Sequence, residues 1–87
     1  AMPEGASFLA LRAWRAEEAK QQAVPPYVIF HDSVLREIAA VGPASLDALS
    51  AIKGVGASKL ARYGAAVMRV LRGAADASAS PPSAGRN

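Results

Sequence analysis

Cysteine is absent from the 87-residue chain, so neither a disulfide nor a thiolate-held zinc ion can hold the fold together. Histidine occurs once, at His31, which cannot build a metal cage or a catalytic dyad alone. No apolar run approaches the roughly 18 residues of a membrane span, and no charged-then-apolar leader is visible. Large apolar residues are missing after Leu71: from Gly73 the chain reads GAADASASPPSAGRN, which cannot bury enough surface to offset its ordering entropy. Residues 74–87 are therefore expected to form a disordered tail. Residues 1–6 are expected to be a flexible lead, its Ala-Met opening a cloning remnant. Residues 7–73 remain for one domain, a size that buries roughly 60% of its unfolded-chain surface. That leaves no room for a deep enclosed cleft and argues against an independent enzyme and against a bound cofactor.

Acidic residues are missing from one further stretch. Residues 53–72 carry Lys53, Lys59, Arg62, Arg69 and Arg72 without a single carboxylate, whereas the first 52 residues hold six acids against four cations. The net charge of +3 thus comes from one part of the chain. Such asymmetry points toward a polyanionic partner.

What is present is helical periodicity nearly throughout. SFLALRAWRAEEAKQQA has Ser7 as its expected N-cap and runs to Ala23 without Gly or Pro, with Phe8, Leu11 and Trp14 as its buried stripe. Arg15 borders that stripe, its stem covered and its head paired with Glu18 or with a group on another helix. Pro25 and Pro26 stop the helix. VIF, residues 28–30, has no second strand-like run to pair with, so it reads as an apolar connector with room for one helical turn. HDSVLREIAAVG follows, capped among His31, Asp32 and Ser33 and ended by Gly42-Pro43, with Val34, Leu35, Ile38 and Val41 apolar. SLDALSAIKG opens on Ser45 as cap and turns in Leu46, Leu49 and Ile52. A last helix from about Ala57 to Arg72 places Leu60, Tyr63, Gly64, Val67, Val70 and Leu71 on one side and Arg62 and Arg69 opposite. The expected fold is all-α, a compact bundle of four to five helices.

The stretch IKGVGASKLARYG, residues 52–64, is the most specific local signal. Gly54 and Gly56 permit a sharp turn and leave the first N–H groups of the next helix unobstructed, a ready anion site. A Walker loop would need a preceding strand and a Gly directly before the Lys, and a Rossmann turn a third Gly and a parallel sheet; both contexts fail. The pattern of Ile52, Gly54, Val55, Gly56 and Lys59 instead resembles a helix-hairpin-helix turn.

Together with VPPYVIFHDSVLREIA upstream and FLALRAWR before it, this turn closely resembles the HRDC domain (helicase and RNase D C-terminal domain) of bacterial RecQ-family DNA helicases, over roughly residues 7–73. The resemblance implies an accessory module of an ATP-driven 3′–5′ DNA-unwinding enzyme acting on the nucleoid in the cytoplasm. A monomeric domain of this kind would touch single-stranded or branched DNA weakly. The alternative is a protein-interaction or autoregulatory module that contacts the parent helicase core or a partner protein. Carried over by residue, the family's aromatic is Tyr27 and its basic positions are Lys53, Lys59 and Arg62, with Gly54 and Gly56 forming the turn between them. Each keeps a structural alternative: Tyr27 stacks on a base or packs between helices, Lys59 and Arg62 meet phosphates or solvent, and Arg69 and Arg72 belong to a solvated face. Two positions depart from the family's pattern. His31 stands where Asn or Ser is common before the Asp, and Ala61 where Glu is common after Lys-Leu.

Overall fold

The computed structural model describes residues 5–79, with side chains through Ala74. The expectations for residues 1–4 and 80–87 lie outside the described residues. Five helices follow one another: α1 (Gly5–Gln22), α2 (Pro26–Ile29), α3 (Asp32–Val41), α4 (Leu46–Ser50) and α5 (Ala57–Ala79). α1 lies against α2, α3 and α5, and α4 closes the other side of α5. Leu11, Ile29, Leu35, Ile38, Leu49 and Val67 are fully buried where these surfaces meet, so every helix contributes to one core.

α1 begins two residues before the expected cap, which puts Ser7 inside the helix, half-buried, rather than at its N-cap. Its buried stripe is Phe8, Leu11, Arg15 and Ala19, so the arginine sits within the stripe and Trp14 beside it, half-buried. The helix ends at Ala23, which adopts a left-handed φ of 57°. Ala23 N–H donates to Lys20 O at 3.2 Å and Val24 N–H to Ala19 O at 3.0 Å, the paired bonds of a Schellman C-cap. Pro25 forces Val24 out of helical geometry, so the chain must leave α1 here even without a glycine to ease the turn.

Pro25 and Pro26 then start α2, with Pro25 as N-cap and Pro26 in the first turn, where the missing N–H costs nothing. Residues 28–30 thus complete one helical turn, and its apolar residues Ile29 and Phe30 go inward. α3 is closed by Gly42 in the left-handed region (φ 59°) with its N–H on Ile38 O, as its Gly-Pro ending implies. Ser45 caps α4 by accepting from Ala48 N–H at 3.1 Å. Val41 and Leu46, expected on inner faces, are instead about half exposed at 52% and 47%. Both sit at helix ends, Val41 the last residue of α3 and Leu46 the first of α4. α5 runs to Ala79, beyond the expected end at about Arg72 and into the stretch expected to be a disordered tail, and Ala74 is still buried. The stretch GAADASA contains no proline and is rich in alanine, so it extends an established helix at low cost.

The Gly-x-Gly turn is a packing device at its first glycine. Gly54 has φ +97°, and a Cβ there would lie 2.5 Å from Val34 Cγ2 on α3. Nothing lies within 4 Å of a Cβ at Gly56. Gly54→Ala is expected to cost about 2 kcal/mol or more through strain and overpacking, whereas Gly56→Ala should cost under about 1 kcal/mol; urea unfolding of both variants checks this. Ala23→Gly is expected to raise stability by roughly 0.5 kcal/mol by relieving the left-handed alanine, offset in part by unfolded-chain entropy.

Candidate nucleic-acid interface

A helix of a single turn leaves its last carbonyls without intrahelical partners. In α2 these are Val28, Ile29 and Phe30, and cations from two other helices take all three. Lys59 in the first turn of α5 donates from Nζ to Val28 O at 2.5 Å and to Ile29 O at 2.7 Å. Its ammonium also lies 5.5 Å from the Phe30 ring centroid and 5.8 Å from that of Tyr63. From α1, Arg15 Nη1 donates to Phe30 O at 2.9 Å and pairs with Asp32 Oδ1 at 2.7 Å. Positive charge at the carbonyl end of a helix is electrostatically favoured, and bonds from an ionised donor are stronger than neutral ones.

Arg15 is 7% exposed, and its Nε is buried without a hydrogen-bond partner. The Asp32 carboxyl is held below the usual carboxylate range, first by the Arg15 hydrogen bond and then by the Arg15 charge. Burial opposes this shift, and Arg36 and Arg12 add smaller contributions to it. Behind these contacts stand three rings: Trp14 lies 6.2 Å from Phe30 and 5.7 Å from Tyr63, and Phe30 lies 5.9 Å from Tyr63. Tyr63 is buried and its hydroxyl accepts from Gln22 Nε2 at 2.9 Å. Glu18, offered by spacing as a partner for Arg15, instead accepts from Gln22.

These contacts revise the expected role of Lys59. Its ammonium has already committed two of its three protons to backbone carbonyls, so it anchors α2 rather than reaching into solvent. The other expected positions surround that anchor. Tyr27 precedes Val28 by one residue and is 60% exposed, so it is not packed between helices. Its ring stacks on His31, centroids 6.0 Å apart and planes 20° from parallel. Lys53 is exposed and lines a shallow depression with Ser33, Val34, Glu37 and Gly54. Gly56 serves as N-cap of α5 through Leu60 N–H to Gly56 O at 2.8 Å. Arg62, one turn along α5, is exposed with its guanidinium carbon 5.4 Å from the Tyr63 ring centroid. Among the described residues, neither Lys53 nor Arg62 has a carboxylate within ion-pair distance. Arg69 and Arg72 lie farther along α5, beside Leu46 and Met68.

The junction of α2, α3 and α5 thus gathers Tyr27, Lys53, Gly54, Gly56 and Lys59, with Arg62 beside it. Sequence reasoning missed His31 as Tyr27's stacking partner; of the two partners it offered Arg15, Glu18 or a group on another helix, the second holds, in Asp32 of α3. Only the position of Arg15, four residues after Leu11 on an apolar stripe, signalled a buried cation.

Comparison with known proteins places this arrangement. A family profile described as the HRDC domain matches residues 4–71. The ATP-dependent DNA helicase UvrD2 of Mycobacterium tuberculosis is 48% identical over 66 residues, 76% of this chain and 9% of that protein. The ATP-dependent DNA helicase RecQ of Bacillus subtilis is 47% identical over 57 residues, 66% of this chain and 10% of that protein. Among solved structures, the D. radiodurans RecQ HRDC domain 3 superposes with a TM-score of 0.81 at 25% identity, covering 86% of this chain and 99% of that one. The chain spans about a tenth of the length of the curated helicases it matches. It belongs to the HRDC domain family, a non-catalytic accessory domain with this all-α fold.

Two outcomes check the anchoring contacts. Lys59→Ala is expected to lower stability by about 1–2 kcal/mol, because it strips charge-assisted bonds from two carbonyls, whereas Arg62→Ala should change it by less than about 0.5 kcal/mol. Asp32 has a lowered folded-state pKa, so its contribution is present above the unfolded value of 3.8 and is lost as pH falls through the folded value. Acid titration of unfolding stability should therefore fall less steeply below about pH 4 in Asp32→Asn than in the unmodified chain.

Proposed function

We propose that this HRDC domain is a weak DNA-binding module of an ATP-dependent DNA helicase, holding a single strand close to a motor carried elsewhere on the parent chain. Relatives named as ATP-dependent helicases of both the RecQ and UvrD2 kinds support the parent reading. The UvrD2 similarity widens the expected parent beyond RecQ alone. The observation that carries the binding reading is local. Lys53 and Arg62 have no paired carboxylate among the described residues, and Tyr27 is exposed on backbone fixed by Lys59.

In this reading Lys53 and Arg62 meet phosphates, and the N–H groups that begin α5 after Gly54 and Gly56 face the same strand. Tyr27 offers a ring to an unstacked base, which a duplex keeps inside its own stack. Two or three phosphate contacts to single-stranded DNA give a slope of log K against log salt of about −1.4 to −2. Binding of that strength matters when the domain is tethered to a motor already on the strand, because tethering raises the effective concentration. The exposed Val41 and Leu46 support a second use, contact with the helicase core or a partner protein.

Backbone amide titration with a short single strand is expected to shift residues 27–31 and 53–62, and Arg62→Ala should reduce the magnitude of the salt slope by about 0.7. Shifts confined to the neighbourhood of Val41 and Leu46, or a parent helicase that binds DNA more tightly once the domain is removed, would favour the regulatory reading.

A further inference from the structure

His31 occupies the N-cap position of α3, yet its side chain makes no capping hydrogen bond. A residue with a short oxygen-bearing side chain would satisfy one of the helix's unpaired N–H groups there. The imidazole is turned instead toward Tyr27, four residues earlier, and lies nearly parallel to its ring. Both side chains are exposed. The two rings therefore form one stacked pair in solvent, next to the exposed Val28, and the outer face of each ring is left uncovered by the other.

The backbone beneath them is held at several points. Val28 O and Ile29 O are taken by Lys59, and Phe30 O by Arg15. His31 O accepts from Val34 N–H at 3.0 Å and Leu35 N–H at 3.2 Å. Pro25 and Pro26 fix φ on the other side. Rings carried on so constrained a segment lose little further freedom when a flat ligand covers them.

We infer that the stacked pair of Tyr27 and His31 forms a platform that takes an unpaired nucleobase on the open imidazole face, with His31 a nucleic-acid-contacting residue in its own right. The platform deepens the proposed DNA-binding function and rests on it. It contacts base faces, so it tolerates any base sequence and favours single strands over duplex.

The test compares affinities of the 87-residue chain for a short oligothymidine and for an abasic strand of equal length and charge, at one low salt concentration. His31→Asn, which restores a capping side chain, is expected to weaken oligothymidine binding about fivefold and to leave abasic-strand binding unchanged. His31→Phe keeps a ring and should bind oligothymidine as the unmodified chain does. If the unmodified chain binds but His31→Asn binds oligothymidine equally well, the platform is overturned and the phosphate reading stands. Equal weakening on both strands would likewise overturn it, since a stacking contact cannot be lost where there is no base. If the unmodified chain binds neither strand, the DNA-binding reading falls and the platform with it.

Discussion

Three consecutive carbonyls at the end of a one-turn helix hold this domain together by recruiting cations from both sides. Val28 O and Ile29 O face Lys59 of α5, and Phe30 O faces Arg15 of α1. α1 and α5 are the two long helices of the bundle, and α2 is the short piece between them. Left to itself, a four-residue helix is not stable in water. Its two prolines start the turn, and the two cations finish it by supplying the donors that further helical residues would otherwise supply. The apolar side chains of the same segment, Ile29 and Phe30, then enter the core with their backbone groups satisfied.

The contact has a functional consequence because it determines which charges remain available. Of the five cations between residues 53 and 72, Lys59 is spent on the fold. Lys53 and Arg62 keep their charge at the surface near the same junction, and Arg69 and Arg72 extend it along α5. The carboxylate nearest this region in the ion-pair network, Asp32, is already neutralised by Arg15. The fold thus commits Arg15 and Lys59 to its own backbone and leaves Lys53, Arg62 and Tyr27 exposed.

Much of the fold was legible in the chain. The turn signals at Pro25-Pro26 and Gly42-Pro43, the Ser45 cap and the stripes of α3 and α5 imply four to five helices in order, and the structure has five among the described residues. Legibility fails where the deciding contact is remote. The partners of Lys59 lie 30 and 31 positions away and those of Arg15 lie 15 and 17 away, so local spacing could offer Arg15 only Glu18 or some group on another helix, and Lys59 only phosphate or solvent. Ala23 shows the same limit at the backbone: it takes a left-handed φ of 57° that an alanine does not favour and that no glycine in the sequence announces. The HRDC-like motifs identified the positions around the turn, but not that one glycine is required by Val34 and that one lysine is an anchor.

The most direct test of the anchor is nuclear magnetic resonance of the lysine ammonium groups in the isotopically labelled chain. Lys59 is expected to show slowly exchanging ζ protons with through-hydrogen-bond couplings to the Val28 and Ile29 carbonyl carbons, unlike exposed Lys53. A Lys59 ammonium that exchanges as fast as that of Lys53 and shows no such couplings would contradict the account.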